Sequence, residues 1–220
     1  MTPRASRDRP SRRPNLAQRL TVNVPIALAL VVMVLLHLGA LQTLRVGSIN
    51  MVPTLALDDH VLVRAFGSAP ARGDVVVYRS PFDREHLQLG RIVAVDGDHV
   101  EMGEDGLRLG GRAAASPPCQ EGEACEIASC RGHECLIAAE TVGDRRFFTR
   151  RAGSLSGLLF PPTTVPEGHF FVLSDNRVDE RDSRIYGAIP HHAIVGVLSF
   201  VYYAFDEHGI RWDRISRPVS

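Results

Sequence analysis

The 220-residue sequence contains no lysine; all 25 of its basic residues are arginine. A guanidinium does not give up its proton at usable pH, so no side chain here can serve as a lysine-type base. Nor is there an excess of charge of one sign. The 25 acidic residues cancel the arginines, and without a basic surplus there is no electrostatic case for a nucleic-acid partner. Cysteine is absent outside the window Cys119, Cys125, Cys130 and Cys135. No internal repeat is evident, and after residue 45 no stretch has a long helical period. A chain of this length, 45% hydrophobic, supports one sizeable globular core plus an anchor rather than two large domains.

What is present divides the chain into three. Residues 1–20 hold Arg4, Arg7, Arg9, Arg12, Arg13 and Arg19 against the single acid Asp8, which reads as a disordered cytoplasmic tail. Residues 21–44 carry no charge and are mostly aliphatic. About 20 apolar residues cross a bilayer core, so one transmembrane helix is expected. A cleavable signal peptide is the rival, but the apolar run exceeds an ordinary h-region. Pro25 falls near the start of the span, and His37 reads as a tolerated polar residue. With the arginines inside, residues 45–220 form an extracytoplasmic domain on a single-pass protein of the cytoplasmic (inner) membrane. Short β-branched runs at His60–Arg64, Asp74–Tyr78, Gly90–Val95, Phe170–Leu173 and Ile194–Tyr203, separated by Gly and Pro, predict a mainly β domain of hairpins and a partly closed barrel. Asp58-Asp59-His60 reads as the turn into the first of these runs, and His191-His192 as an exposed loop pair.

Several motifs carry more information. Gly47 to Val63 reads G-S-I-N-M-V-P-T-L-A-L-D-D-H-V-L-V, Ala71 to Tyr78 reads A-R-G-D-V-V-V-Y, and Gly90 to Asp98 reads G-R-I-V-A-V-D-G-D. Val165 to Arg184 reads V-P-E-G-H-F-F-V-L-S-D-N-R-V-D-E-R-D-S-R, followed by Gly187, Pro190, Ile194 and Gly196. This set resembles the bacterial type I signal peptidases, the leader peptidases that use a serine-lysine dyad. The likeness covers about Arg45 to Ala94 and Val165 to Ser220. Residues 101–165 stand apart, as expected of a variable inserted β subdomain. Arg211 to Ile215, R-W-D-R-I, looks like the family's final strand.

The resemblance implies a chemistry that this sequence does not keep. In the family a serine attacks the peptide carbonyl after a small residue, and a desolvated lysine amine takes its proton. At the nucleophile's position stands Asn50, and at the general base's position Gly90. Glu180 replaces the serine that orients the amine, and Ser174 replaces a nearby glycine. Ser48 keeps the oxyanion-stabilising position. Losing groups that act as a unit leaves little activity, so the likeness implies a signal peptidase homologue without proteolytic activity. The alternative is an active peptidase using Ser48 with His86 or Glu180 as base.

The remaining site assignments follow the family. Met51, Pro53, Ile92 and Val93 are expected to line a substrate groove, although ordinary core packing would use the same residues. Asp175, Asn176, Arg177, Asp182 and Arg184 are expected to support the site. Four clustered cysteines in an exported domain read as two disulfides. Sequence permits three pairings; Cys119 with Cys125 resembles a bridge found in some family members, leaving Cys130 with Cys135. A zinc site using these thiols and His133 is the weaker alternative, so no metal and no cofactor are expected. The expected partners are the lipid bilayer and either signal peptides of exported preproteins or an active paralogue.

Overall fold

The computed structural model describes residues 16–37, 41–65, 69–83, 85–103, 106–114, 128–130, 133–152, 159–178, 181–216 and 219. The chain forms two compact units, residues 1–40 and residues 41–220.

The first unit contains helix α1, Leu16–His37, with Pro25 inside it. Val24, Ile26, Leu28, Leu30, Val31, Val32, Met33 and Val34 are all exposed, so the helix is apolar around its circumference rather than along one stripe. Among the described residues no helix is long and apolar enough to cross a membrane. The expected spanning segment 21–44 also has other boundaries. The helix begins at Leu16, inside the stretch assigned to the tail, and Leu41–Arg45 is a strand. Pairing decides this: Leu41 through Arg45 form an antiparallel ladder with Arg64 through His60, and Leu44 packs against a core cluster.

In the second unit the strands run β1 Leu41–Arg45, β2 His60–Arg64, β3 Val75–Arg79, β4 Leu87–Ala94, β5 His99–Gly103, β6 Gly106–Leu109, β7 Arg112–Ala113 and β8 Ala128–Cys130. They continue as β9 His133–Val142, β10 Arg145–Ala152, β11 Phe160–Thr164, β12 His169–Leu173, β13 Ile189–Pro190, β14 Ile194–Tyr203, β15 Phe205–Asp206 and β16 Gly209–Ile210. The main sheet has the order β1-β2-β14-β3-β4-β12-β13, with antiparallel pairing from strand to strand. No ladder joins β1 to β13 among the described residues. Between β4 and β12, β11-β5-β6-β7 form one sheet and β10-β9-β8 another.

The alternation of β-branched residues along β2, β3 and β4 fills three apolar clusters. One gathers Val46, Met51, Leu55, Val61, Val63, Val75, Val77 and Leu89. Another holds Val93, Val100, Leu107, Phe147 and Phe171. The third holds Val76, Tyr78, Ile92, Phe170, Val172 and Ile189. Met51, Ile92 and Val93 therefore sit in three separate cores rather than along one groove. Residues 212–216 are turns rather than the expected final strand, and Arg214 among them bonds Asp59.

Candidate functional site

The segment from Gly47 to Asp59 crosses from β1 to β2 as a string of turns held from three directions. Val46 N–H donates to Asp59 O at 2.8 Å, and Asp58 takes a left-handed conformation, φ 68°, at the turn. Asp59, 2% exposed, accepts from Ala56 N–H at 2.8 Å and from Arg214 Nη2 at 2.6 Å. Arg214 also donates to Thr54 O at 3.2 Å. The peptide bond between Val52 and Pro53 is cis.

The D-N-R segment clamps the same loop from the other side. Arg91 is fully buried and makes a two-pronged bond to Asp175, Nε to Oδ1 at 2.9 Å and Nη2 to Oδ2 at 2.8 Å. Thr54 Oγ1 donates to Asp175 Oδ2 at 2.5 Å. Arg91 also donates to Gly73 O at 2.6 Å and lies 4.1 Å above the Phe147 ring, which gives a buried cation both a counter-ion and a π face. Asn176 N–H donates to Asn50 O at 2.9 Å, and its Nδ2 donates to Ile49 O at 3.1 Å.

Arg177 is held from the insert. Glu140 on β9 accepts from Arg177 Nη2 at 2.6 Å, from Arg151 Nη2 at 2.5 Å and from Thr149 Oγ1 at 3.1 Å. Burial alone would push the Glu140 carboxyl up, but the Arg177 and Arg151 guanidiniums outweigh it and hold it below the usual glutamate range. Asp182 caps helix α2, Ser183–Tyr186, by accepting from Arg184 N–H at 3.0 Å. It also pairs with the Arg184 side chain, Nε to Oδ1 at 2.8 Å and Nη2 to Oδ2 at 2.7 Å, and accepts from Ser174 N–H at 2.9 Å. All five residues expected to support the site thus form a buried or half-buried scaffold.

Asn50 lies at the meeting point, 7% exposed. Its Nδ2 donates to Leu89 O at 2.7 Å, and its Oδ1 accepts from Ser48 Oγ at 2.6 Å. Gly90 follows Leu89 on β4, but its side-chain direction is the opposite face. A Cβ there would lie 2.4 Å from Val172 Cγ1, with Tyr78 Cε1 and Leu173 O each at 3.4 Å. The space where a side chain would begin is already filled.

A cleft of about 470 Å³ opens beside Asn50, lined by Leu44, Arg45, Gly47, Ser48, Ser80, Asp83, His86, Gln88 and Leu89 among others. Met51, Pro53, Ile92 and Val93 are not part of its lining. Two strands border it, β1 and the first half of β4. Ile92 N–H and C=O point toward the β3 side, to Asp74 O and Gly73 N, so by the two-residue period those of Leu89 and Leu87 point the other way. There β12 pairs with β4 only from Arg91 to Ala94, leaving Leu87 to Gly90 a strand edge among the described residues. At the cleft mouth His86 Nδ1 lies 2.6 Å from Asp83 Oδ2. The Glu85 backbone N–H and then His86 hold the Asp83 carboxyl below its ordinary range.

Glu180 lies outside the described residues, as do Cys119 and Cys125. Cys130 and Cys135 stand on the paired strands β8 and β9, opposite His133 and Ala128 respectively rather than opposite each other. Among the described residues, no three His, Cys, Asp or Glu side chains gather as a metal site. Glu140 carries no signal in the sequence that marks it for this scaffold; Thr54 and Arg214 stand in quoted motifs, but nothing there points them to Asp175 or Asp59. Asp59 carries only a faint one, an acid beside the turn.

A family model described as signal peptidase, peptidase S26, matches residues 19–203. The chain belongs to that family. It is 26% identical over 150 residues to the signal peptidase I of Rickettsia massiliae (strain Mtu5), covering 64% of this chain and 54% of the relative. With the signal peptidase I of Bacillus amyloliquefaciens it shares 28% identity over 162 residues, covering 72% of each. A solved signal peptidase I from Enterococcus faecalis V583 aligns with a TM-score of 0.38 at 24% identity, covering 60% of this chain and 98% of that one. The chain spans about half the length of the rickettsial relatives it matches.

Proposed function

We propose that this chain is a membrane-anchored, outward-facing signal peptidase I homologue without proteolytic activity, which holds signal-peptide-like segments instead of cutting them. The observation that carries this reading is Asn50. An amide offers no hydroxyl for acyl-enzyme formation, and this one is tied to Ser48 on one side and Leu89 on the other. The lack of any lysine and the filled space at Gly90 support the same conclusion. The edge of β4 beside the cleft suits strand addition by an extended peptide, in which backbone hydrogen bonds supply affinity and shallow pockets supply selectivity. The exposed apolar circumference of α1 and the arginine-rich residues before it support an inner-membrane anchor with a cytoplasmic N-terminus. The client is a signal peptide or an active paralogue engaged in secretion.

A signal peptide carrying a photo-crosslinker beside its small residues tests this. Adducts mapping to Ser48 and Leu87–Leu89 are expected, and crosslinking that is confined to other surfaces contradicts it.

One observation favours a second reading, a working peptidase with unconventional groups. The Asp83-His86 pair borders the same cleft as Ser48, and a carboxylate on one imidazole nitrogen is the arrangement that orients the other for proton transfer. In that reading Ser48 is the nucleophile and His86 the base. The two readings part on turnover of a preprotein.

A further inference from the structure

We propose that Asn50 has reversed the hydrogen-bonding polarity of Ser48, so that the cleft offers an acceptor to a ligand's backbone N–H where a cleaving site would offer a donor to its carbonyl. The inference rests on the reading that the cleft holds an extended peptide. Each atom's role is forced by its neighbour. The Leu89 carbonyl oxygen can only accept, so the atom of Asn50 that lies 2.7 Å from it is the Nδ2 amide nitrogen. That leaves Oδ1 facing Ser48 Oγ at 2.6 Å. An amide oxygen also only accepts, so Ser48 must donate, and a hydroxyl has one proton to give. Turning the amide over would set Oδ1 against Leu89 O, two acceptors face to face in a site where Asn50 is 7% exposed, and leaving such groups unpaired is costly. The order Ser48 to Asn50 to Leu89 is therefore locked.

Ser48 is half-buried and lines the cleft, so what it shows a ligand is its lone pairs. A developing oxyanion needs donors, and this hydroxyl has none left. An extended segment seated along the β4 edge instead finds Ser48 as an acceptor for one of its amide protons.

The test uses the full chain in detergent micelles and a fluorescein-labelled peptide with an Ala-Gln-Ala core, read by anisotropy. A series of ketomethylene analogues removes one N–H at a time while keeping every carbonyl. One analogue is expected to bind wild type about 3- to 10-fold more weakly than the parent peptide, the weight of a single hydrogen bond. That penalty should vanish in Ser48→Ala, which removes the acceptor. If no analogue shows a Ser48-dependent penalty although the parent binds, the polarity inference falls and the holding function stands. A Ser48-dependent loss on weakening one peptide carbonyl to a thioamide is expected in Asn50→Ala, where the proton is free, and the same loss in wild type overturns the inference, because Ser48 would then be donating to the ligand. If wild type binds no peptide, both fall together.

Discussion

A Cβ at position 90 would sit 2.4 Å from Val172 Cγ1, so Gly90→Lys meets a filled core before its amine can reach the cleft. Overpacking of this kind costs about 1–3 kcal/mol, and a lower urea midpoint is expected for Gly90→Lys. Val172→Ala in the same chain should recover part of the loss, whereas equal midpoints for wild type and Gly90→Lys would contradict the packing described. By the same reasoning, restoring Asn50→Ser, Gly90→Lys and Glu180→Ser together should give no cleavage unless Val172 is also made smaller. That the segments around Pro53-Thr54-Leu55 and Arg91 belong to one place was legible in the sequence from their motifs, and the bond from Asn50 to Leu89 O joins them. The groove residues were not. Strand alternation says that Ile92 and Val93 face opposite ways, but which face meets a cleft and which meets Val76, Tyr78 or Phe147 depends on strands far along the chain.

Strands β9 and β10 act on the site through buried charge. The folded carboxyl of Glu140 titrates below its unfolded value, so its contribution is fully present above the unfolded pKa and is lost as pH falls through the folded one. Wild type should therefore lose stability on acidification below the ordinary glutamate range, and Glu140→Gln should flatten that loss. At neutral pH the same substitution leaves Arg177 and Arg151 without their counter-ion, at a cost of about 3–5 kcal/mol. Urea unfolding of both proteins across the acid range checks the sign and the size. A second clamp closes the far end. Arg214→Met removes the bonds to Asp59 and Thr54 O and should cost about 1.5–3 kcal/mol, the range for hydrogen bonds to charged groups; an unchanged midpoint would contradict the clamp. Strands β2, β3, β4, β12 and β14 were readable from their β-branched runs and turn residues, whereas β1 overlaps the segment expected to span the membrane. The bond from Arg214 to Asp59 was not, since nothing local to R-W-D-R-I points 155 residues back, and the likeness to the family's final strand suggested a strand there.

At the scale of the whole molecule the two units have different surfaces. The exposed apolar circumference of α1 leads to the expectation that the full chain stays with membranes through alkaline carbonate extraction and is released only by detergent, with release by carbonate alone contradicting an anchor. The domain of residues 41–220 gathers its motifs from distant parts of the sequence into one scaffold: Arg91 and Asp175, Thr54 and Asp175, Asn50 and Asn176, Glu140 and Arg177. Where these bonds meet stand the Asn50 amide, bonded to Leu89 O, and Gly90 one residue further along β4. Incubating the purified full chain with a preprotein over a wide pH range, beside Ser48→Ala and His86→Ala, tests that combination most directly. The account predicts that the preprotein stays intact with all three proteins; cleavage by wild type that disappears in Ser48→Ala would contradict it.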